Sequence, residues 1–572
     1  MVRLALILTV CLAPPHAFAQ QPPAPVATPS SDEGIPVESA LVRSACGGCH
    51  RPDAQNRMTR ISYRRSTPEN WENTVKRMIS LNHVKIEPAQ AREIVKYLAD
   101  NHGLAPSEAK TVAFESERRL VDRAYEADKE TSVVCSSCHS IGRVMSERRT
   151  KQEWELLLAM HRGYYPGVDS QPMNEGSGFR RGGGRRATEG AGTEARRADT
   201  SHPMDRIITH LSAQFPLRTA DWAAWAAAMQ PPMLTGRWAI SGSAPGKGAI
   251  VGQVVIAADP AMPDTFTTDT RFTFVRTGES VTRKGRAVVY TGFQWRGRGT
   301  AAAGEDVWRE VLAVDRTRRE MSGRWFTGAY DELGIDVRLV RLAADSIVLG
   351  SSVSSLKTGV PRTGVRIYGA NLPPKVTVKD ISMGQGITVS RVVSATPDVV
   401  TIDLDVATAA KAGPRDITIA GTSVPSALVV FDKIDSIKVV PIAGLARVGG
   451  VVHPKQLQQF EAVAFNDGVN LGIVDVKWSL EEYAATFGDD DTRYVGVLDE
   501  KGLFTPSLDG PNPQRSGERN NIGDVWVVAE LSPSPALGLT KPLRARAQLI
   551  VSVPVYMRWW SSAETVARGG TP

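Results

Sequence analysis

The sequence predicts a multidomain chain: an all-α N-terminal domain followed by three all-β domains. Three observations carry this. At 572 residues the chain is too long for a single core. Its apolar period is helical as far as Pro231-Pro232 and alternating after Leu234. A short cysteine–histidine motif occurs twice, both times in the helical part.

Bulk composition narrows the class. Hydrophobic residues make up 42% and charged residues 23%, ordinary values for globular protein. No long apolar run follows the N-terminus, which argues against a membrane span. A net charge of +7 suits an acidic partner or an anionic surface, and no nucleic-acid motif accompanies it.

Residues 1–19 read as a cleaved signal peptide. Arg3 supplies the positive region, Leu4 to Leu12 the apolar core, and Ala17-Phe18-Ala19 the cleavage pattern. Cys11 falls inside it, and bulky Val10 argues against a lipoprotein. Export to the periplasm is therefore expected, and of five cysteines four remain. Residues 20–35, rich in Pro, Ala and Ser, read as a flexible leader.

The helical domain spans 36–232. Its first unit, about 36–105, runs from Val37 into Cys46-Gly47-Gly48-Cys49-His50. Glu87-Pro88 then opens a helix with Ala91, Ile94, Val95 and Leu98 on one face, ended by Asn101-His102-Gly103. His102 reads as a capping residue. The second unit, about 106–232, carries Cys135-Ser136-Ser137-Cys138-His139. Ile61, Arg65, Thr67 and Trp71 match Val144, Arg148, Thr150 and Trp154 at one constant spacing, the mark of a degenerate duplication. Within 174–200 the chain is Arg/Gly-rich and reads as a disordered insertion rather than a docking patch. Thr219 is placed to cap a helix carrying Trp222 and Trp225.

Both motifs have the C-x-x-C-H form of covalent haem c attachment. Two thiols add to the porphyrin vinyl groups and the adjacent histidine reaches the iron. A pair of disulfides would use the cysteines and leave the histidines unexplained. Two haems c, on Cys46, Cys49, Cys135 and Cys138, consume every cysteine of the mature chain. His50 and His139 are the proximal ligands. For the distal positions the duplication points to Met78 and His161, each seven residues after the shared tryptophan. An ordinary core role competes for Met78. His83 is the runner-up for the first haem, Met160 and Met204 for the second. Methionine ligation raises the potential, so electrons are expected to enter at the bis-histidine haem and leave from the other.

The β region divides into three. Residues 233–345 predict an antiparallel barrel or sandwich, with strands at Ile250–Ile256, Ala287–Tyr290, Val307–Leu312 and Ile335–Leu339. Gly236-Arg237-Trp238 and Gly323-Arg324-Trp325 read as strand starts, their tryptophans as core. Residues 346–432 and 433–560 each predict a β-sandwich. Val365–Leu372 and Asp416–Gly421 are strand-then-turn units of the first; Trp478, Asp499–Pro506 and Val525–Ala529 mark the second. Both resemble immunoglobulin-like domains. No catalytic cluster stands out in them. Residues 561–572 read as a disordered tail.

Tandem haem motifs, the repeated Arg-x-Thr-x-x-x-Trp and three β domains in this order resemble the large α subunit of quinohaemoprotein amine dehydrogenase. The resemblance covers essentially the whole mature chain; the Arg/Gly-rich insertion departs from it. It implies a periplasmic heterotrimer with a quinone-bearing small subunit and a β-propeller subunit. It implies a tryptophylquinone on the partner that oxidises primary amines to aldehyde and ammonia. Electrons then pass through two haems on this chain to a soluble acceptor, a blue copper protein or a cytochrome c. The chain has no cysteine left for a quinone crosslink, so no amine-oxidising residue is assigned to it. Two alternatives stand beside this: a stand-alone dihaem electron carrier with immunoglobulin-like interaction domains, and a dihaem peroxidase with an open iron.

Overall fold

The computed structural model describes residues 32–110, 127–135, 141–164, 203–260, 262, 264–300, 307–327, 333–451, 453–484 and 489–554. The signal peptide, most of the leader, the Arg/Gly-rich insertion, the C-terminal tail, Cys138 and His139 lie outside the described residues.

Local sequence signals explain the helical elements. In α1 (Ala40–Cys46) the Ser39 hydroxyl accepts from the Val42 amide at 3.2 Å. Helix α2 (Pro68–Asn82) starts at Thr67 with Pro68 in the first turn, where a missing N–H costs nothing. Helix α3 (Pro88–Asn101) follows Glu87, whose amide donates to Gln90 Oε1 at 3.0 Å. Its buried face is Ile94, Val95, Leu98 and Ala99, with Ala91 packed at the margin. His102 ends the helix through its backbone alone. Its ring is wholly buried against Trp71 and Tyr97, and burial holds it neutral, with its pKa down to about 3.

The helices α4 (Pro106–Ala109), α5 (Lys129–Cys135), α6 (Gly142–Met145), α7 (Lys151–Tyr164), α8 (Pro203–Gln214) and α9 (Ala220–Ala228) complete this region. Thr219 caps α9 as the sequence indicated, accepting from the Trp222 amide at 3.1 Å. Two features depart from expectation. Residues 33–35 of the supposed leader are ordered: Ile35 packs with Ala105, Leu217 and Trp222, and its amide donates to the Ser62 carbonyl at 2.8 Å. The region is also not purely helical. Strands β1 (Arg64–Ser66) and β2 (Glu147–Arg149) pair antiparallel into a small ribbon.

That ribbon joins the two repeats at equivalent residues. Arg65 lies opposite Arg148, the arginines of the repeated motif. Arg64 and Glu147, 83 residues apart, are likewise equivalents and form a bidentate pair at 2.7 and 2.6 Å. The facing arginines share one carboxylate: Glu108 takes Arg65 at 2.7 and 2.9 Å and Arg148 at 3.4 Å. The rest of the motif is structural too. Thr67 and Thr150 are caps, with Thr150 Oγ1 accepting from the Glu153 amide at 3.2 Å. Trp71 and Trp154 are buried in the first turns of α2 and α7.

The second body is a closed antiparallel barrel: β3 (Gly236–Ala244), β4 (Gly248–Ala258), β5 (Thr265–Phe274), β6 (Ser280–Tyr290), β7 (Gln294–Thr300), β8 (Trp308–Val314), β9 (Glu320–Phe326) and β10 (Ile335–Arg341). Each strand pairs with the next and β10 closes on β3, which decides between barrel and sandwich. Trp238, Trp295 and Trp325 fill the interior as core. Gly236 does start β3, whereas Gly323 sits inside β9 opposite Leu312; a Cβ there would lie 2.1 Å from the Val311 carbonyl oxygen.

The helical region sits against this barrel. Leu104, Ala109 and Leu234 join the barrel's own core cluster. Trp225 meets Phe293 edge to face at 5.4 Å and donates to the Thr291 carbonyl at 3.0 Å. The Thr291 amide donates to Asp100 at 2.7 Å, and Arg296 pairs with Glu69.

Two further β bodies follow. In the third, Ile347–Ser351, Arg362–Ala370, Val399–Val406 and Ile387–Ala395 form one sheet and Ser355–Lys357, Thr422–Phe431, Gly413–Ile419 and Ile381–Ser382 another, closed over one core. The predicted turns are at Asn371 and at Ala420-Gly421, all with positive φ. In the fourth, a sheet of Ala443–Arg447, Leu543–Ser552, Gly523–Leu531 and Lys477–Glu482 shares one core with a smaller sheet of Ser436–Val440, Glu461–Asn466 and Val469–Ile473. A third small sheet holds Gln458–Gln459, Leu503–Pro506 and Gly496–Leu498. The turn before Leu503 puts Gly502 at φ 78° against the Trp478 ring. No described helix is long and apolar enough to cross a membrane.

Candidate cofactor site

Helix α1 delivers the first motif. The Gly47 amide bonds back to Arg43 at 2.9 Å and the His50 amide to Cys46 at 2.9 Å. The helical sense therefore persists through the motif, and Cys46, Cys49 and His50 all border one cavity of about 580 Å³. Cys135, at the end of α5, borders the same cavity. Cys46 and Cys49 are free thiols. Burial, with the neighbouring Cys49, raises the Cys46 thiol above its ordinary pKa.

The apolar lining comes from two hydrophobic clusters: Ile61, Trp71 and Val75 belong to the one with Cys46, and Val144, Trp154 and Leu157 to the one with Val134. Ile61 with Val144, and Trp71 with Trp154, are repeat equivalents, so the duplication extends to the cavity walls. Met78 on α2 and His161 on α7 both line it, and so do Met160 and Met204. Met204 is buried in the core of the second unit. His83 does not line it: it is exposed, in the left-handed turn that ends α2, with φ 55°.

The histidines present a defined face. His50 Nδ1 lies 2.9 Å from the Thr59 carbonyl and His161 Nδ1 2.8 Å from the Leu157 carbonyl. A carbonyl can only accept, so Nδ1 carries a proton in both rings, and a neutral ring then has its lone pair on Nε2. Burial lowers the His50 pKa, the bond to Thr59 opposing it, which favours the neutral ring. Neutral imidazole with its second nitrogen fixed by a carbonyl is what iron ligation requires. Paired thiols, a ligating histidine and apolar walls fit a haem.

Sequence reasoning missed the charged part of the lining. Arg60, Arg64, Arg77, Arg143, Arg149 and Glu147 all line the cavity. The signal was the arginine doublet of each repeat, Arg64-Arg65 and Arg148-Arg149. Burial would push Glu147 up, but Arg64 and Arg149 outweigh it and hold the carboxyl below its ordinary range.

Cavity and motif together define a haem-binding protein. The match to known families is consistent across the chain. The model described as quinohemoprotein amine dehydrogenase A, alpha subunit, haem binding, matches residues 37–178. Those for alpha-subunit domains II, III and IV match 231–342, 348–432 and 437–563. The chain belongs to the quinohemoprotein amine dehydrogenase alpha-subunit family. No curated protein matches it. Among solved structures it is similar to a redesigned β-barrel, 18% identical over 19% of this chain and 92% of that one, TM-score 0.17. It is similar to human protocadherin-24 EC1-2 at 12% identity over 36% and 97%, TM-score 0.15. It is similar to SGBP-B of Bacteroides ovatus at 11% identity over 57% and 63%, TM-score 0.17. At such TM-scores none of the three bears on function.

Proposed function

We propose that this chain is the dihaem electron-transfer subunit of a periplasmic amine dehydrogenase. It would receive electrons from a quinone on a small partner subunit and pass them to a soluble acceptor. The supporting observation is that Cys46, Cys49 and Cys135, from both motifs, border one continuous cavity. Haem c, when bound, supplies a one-electron iron couple and leaves amine chemistry to the partner. Cys46 and Cys49 tether the first group, Cys135 and Cys138 the second. His50 and His139 are the proximal ligands, Met78 and His161 the distal ones. His50 and His161 offer Nε2 because backbone carbonyls hold Nδ1. The two C-terminal β bodies are immunoglobulin-like spacers, and a β-propeller subunit completes the heterotrimer.

Purification from the native host tests the proposal. Two covalent haems c per chain are expected, together with a co-purifying small subunit that stains for quinone. A chain that runs alone, without quinone, would sink the subunit reading in favour of a stand-alone carrier. A high-spin oxidised spectrum would instead indicate an open iron and a peroxidase.

A further inference from the structure

Three arginines stand side by side on the outside of the barrel. Inward and outward residues alternate along β6, so Arg283 is buried in the core while Lys284 and Arg286 are exposed. Arg286 lies directly opposite Arg298 of β7, and Arg298 directly opposite Arg309 of β8. Lys284 continues the patch along β6, and Arg271 of β5, opposite Thr282, extends it to the next strand. Arg271 and Arg298 are exposed as well. Like charges directly opposite one another destabilise a sheet. Arg286 pairs with Asp259, and the Arg309 guanidinium lies 4.2 Å over the Phe326 ring. Arg271, Lys284 and Arg298 have no ionic partner among the described residues, although Asp269 lies opposite Lys284. The fold bears this repulsion and gains no ion pair from Arg298 in return.

The row stands beside the cavity. Arg296, two residues before Arg298 on β7, pairs with Glu69 in the first turn of α2. The next residues of α2, Asn70 and Trp71, line the cavity. Tyr290, the last residue of β6, packs into the cluster that contains Trp71. A protein seated on the row therefore lies close to the cavity wall, two residue spacings of β7, or roughly 7 Å, from the Arg296–Glu69 contact. An exposed basic row is complementary to an anionic surface and draws one in from solution. Nearness to the cavity favours a redox protein over a lipid surface.

We propose that Arg271, Lys284, Arg286, Arg298 and Arg309 form the docking face for the soluble electron acceptor, and that this acceptor presents an acidic surface to it. The proposal rests on the electron-transfer reading above.

The test uses the native complex purified from the host, with plastocyanin, an acidic blue copper protein, as the probe. Haem content and quinone staining come first: a complex that lacks either sinks the electron-transfer reading and this proposal with it. With both present, the outcomes that follow bear on the docking face alone. Association of oxidised plastocyanin is followed by surface plasmon resonance. At about 10 mM ionic strength, where the Debye length is about 30 Å, Arg298→Glu and Lys284→Glu are each expected to slow association about tenfold. At about 1 M, where it is about 3 Å, both should match the wild type. Lys379→Glu, the same reversal at an exposed residue of the third body, should associate as the wild type does. Arg298→Glu also ends the like-charge contacts with Arg286 and Arg309, so its melting temperature should rise, which separates lost docking from lost folding. Amine labelling reads the wild type independently: Lys284 should be acetylated in the complex alone and protected once plastocyanin is added. Protection without plastocyanin would show that another subunit covers the face and would overturn the proposal. Unchanged association of both variants at low salt would overturn it too, as would equal slowing in Lys379→Glu. Binding to phosphatidylglycerol vesicles that Arg298→Glu abolishes, with plastocyanin association unchanged, would assign the face to a lipid surface instead.

Discussion

Met78 and His161 occupy one position of a duplicated unit, and a single side chain there sets the difference between the halves. Both line the cavity, each seven residues beyond a buried tryptophan. Met78→His should lower one of the two haem potentials and leave the spectrum low-spin, since thioether ligation is the one that raises potential. Redox titration reads this directly; two unmoved potentials would remove Met78 as a ligand. His50 offers a second check at this scale. Its Nδ1 proton is held by the Thr59 carbonyl, so His50→Ala removes both the proposed ligand and that bond. Covalent attachment through Cys46 and Cys49 should survive while the haem turns high-spin, as absorption spectra will show.

At the scale of elements, the ribbon and its arginine pair hold the two repeats together. Glu108 carries most of that load. Burial alone would raise its pKa; Arg65 and Arg148 outweigh burial and bring it down to about 2. A folded pKa below the unfolded value means stabilisation fully present above about pH 4.5 and lost as the pH falls towards 2. Glu108→Gln leaves Arg65 buried without its counter-charge, at a cost of about 3–5 kcal/mol. Urea titrations at pH 7 and pH 3 should show that deficit narrowing at the lower pH. Thr150→Ala removes only a helix cap and should cost about 1 kcal/mol.

These elements also show what a sequence exposes. Caps, helix faces and positive-φ turns are local, and Thr219, Ile94 and Asn371 all announced themselves within a few residues. The repeat was legible because Arg65, Thr67 and Trp71 each serve the fold in the same way twice. The ribbon was not legible: three residues are too few to show a period of two, and Arg64 and Glu147 meet from 83 positions apart. Strands β5 and β7 were passed over because threonine, arginine and glycine occupy much of them. For the site, the attachment motifs were plain in the sequence. The charged part of the lining was not, because residues of both repeats contribute to it.

At the scale of the molecule, the helical region and the barrel share a hydrophobic cluster through Leu104 and Ala109. Leu104→Ala should therefore destabilise both bodies, by about 2–5 kcal/mol for a fully buried leucine. Guanidinium unfolding followed in parallel by haem absorption and by barrel tryptophan fluorescence checks this. Movement of the haem signal alone would mean the two bodies unfold independently.

The ribbon has one more consequence. Two identical chains meeting about a two-fold axis must offer the same residue at each equivalent position, so a charge on that axis faces its own kind. Arg65 and Arg148 still show this constraint and need Glu108, from outside the ribbon, to relieve it. Arg64 and Glu147 have escaped it. Opposite charges at equivalent places are closed to identical halves and open to halves that differ in sequence, as these two do.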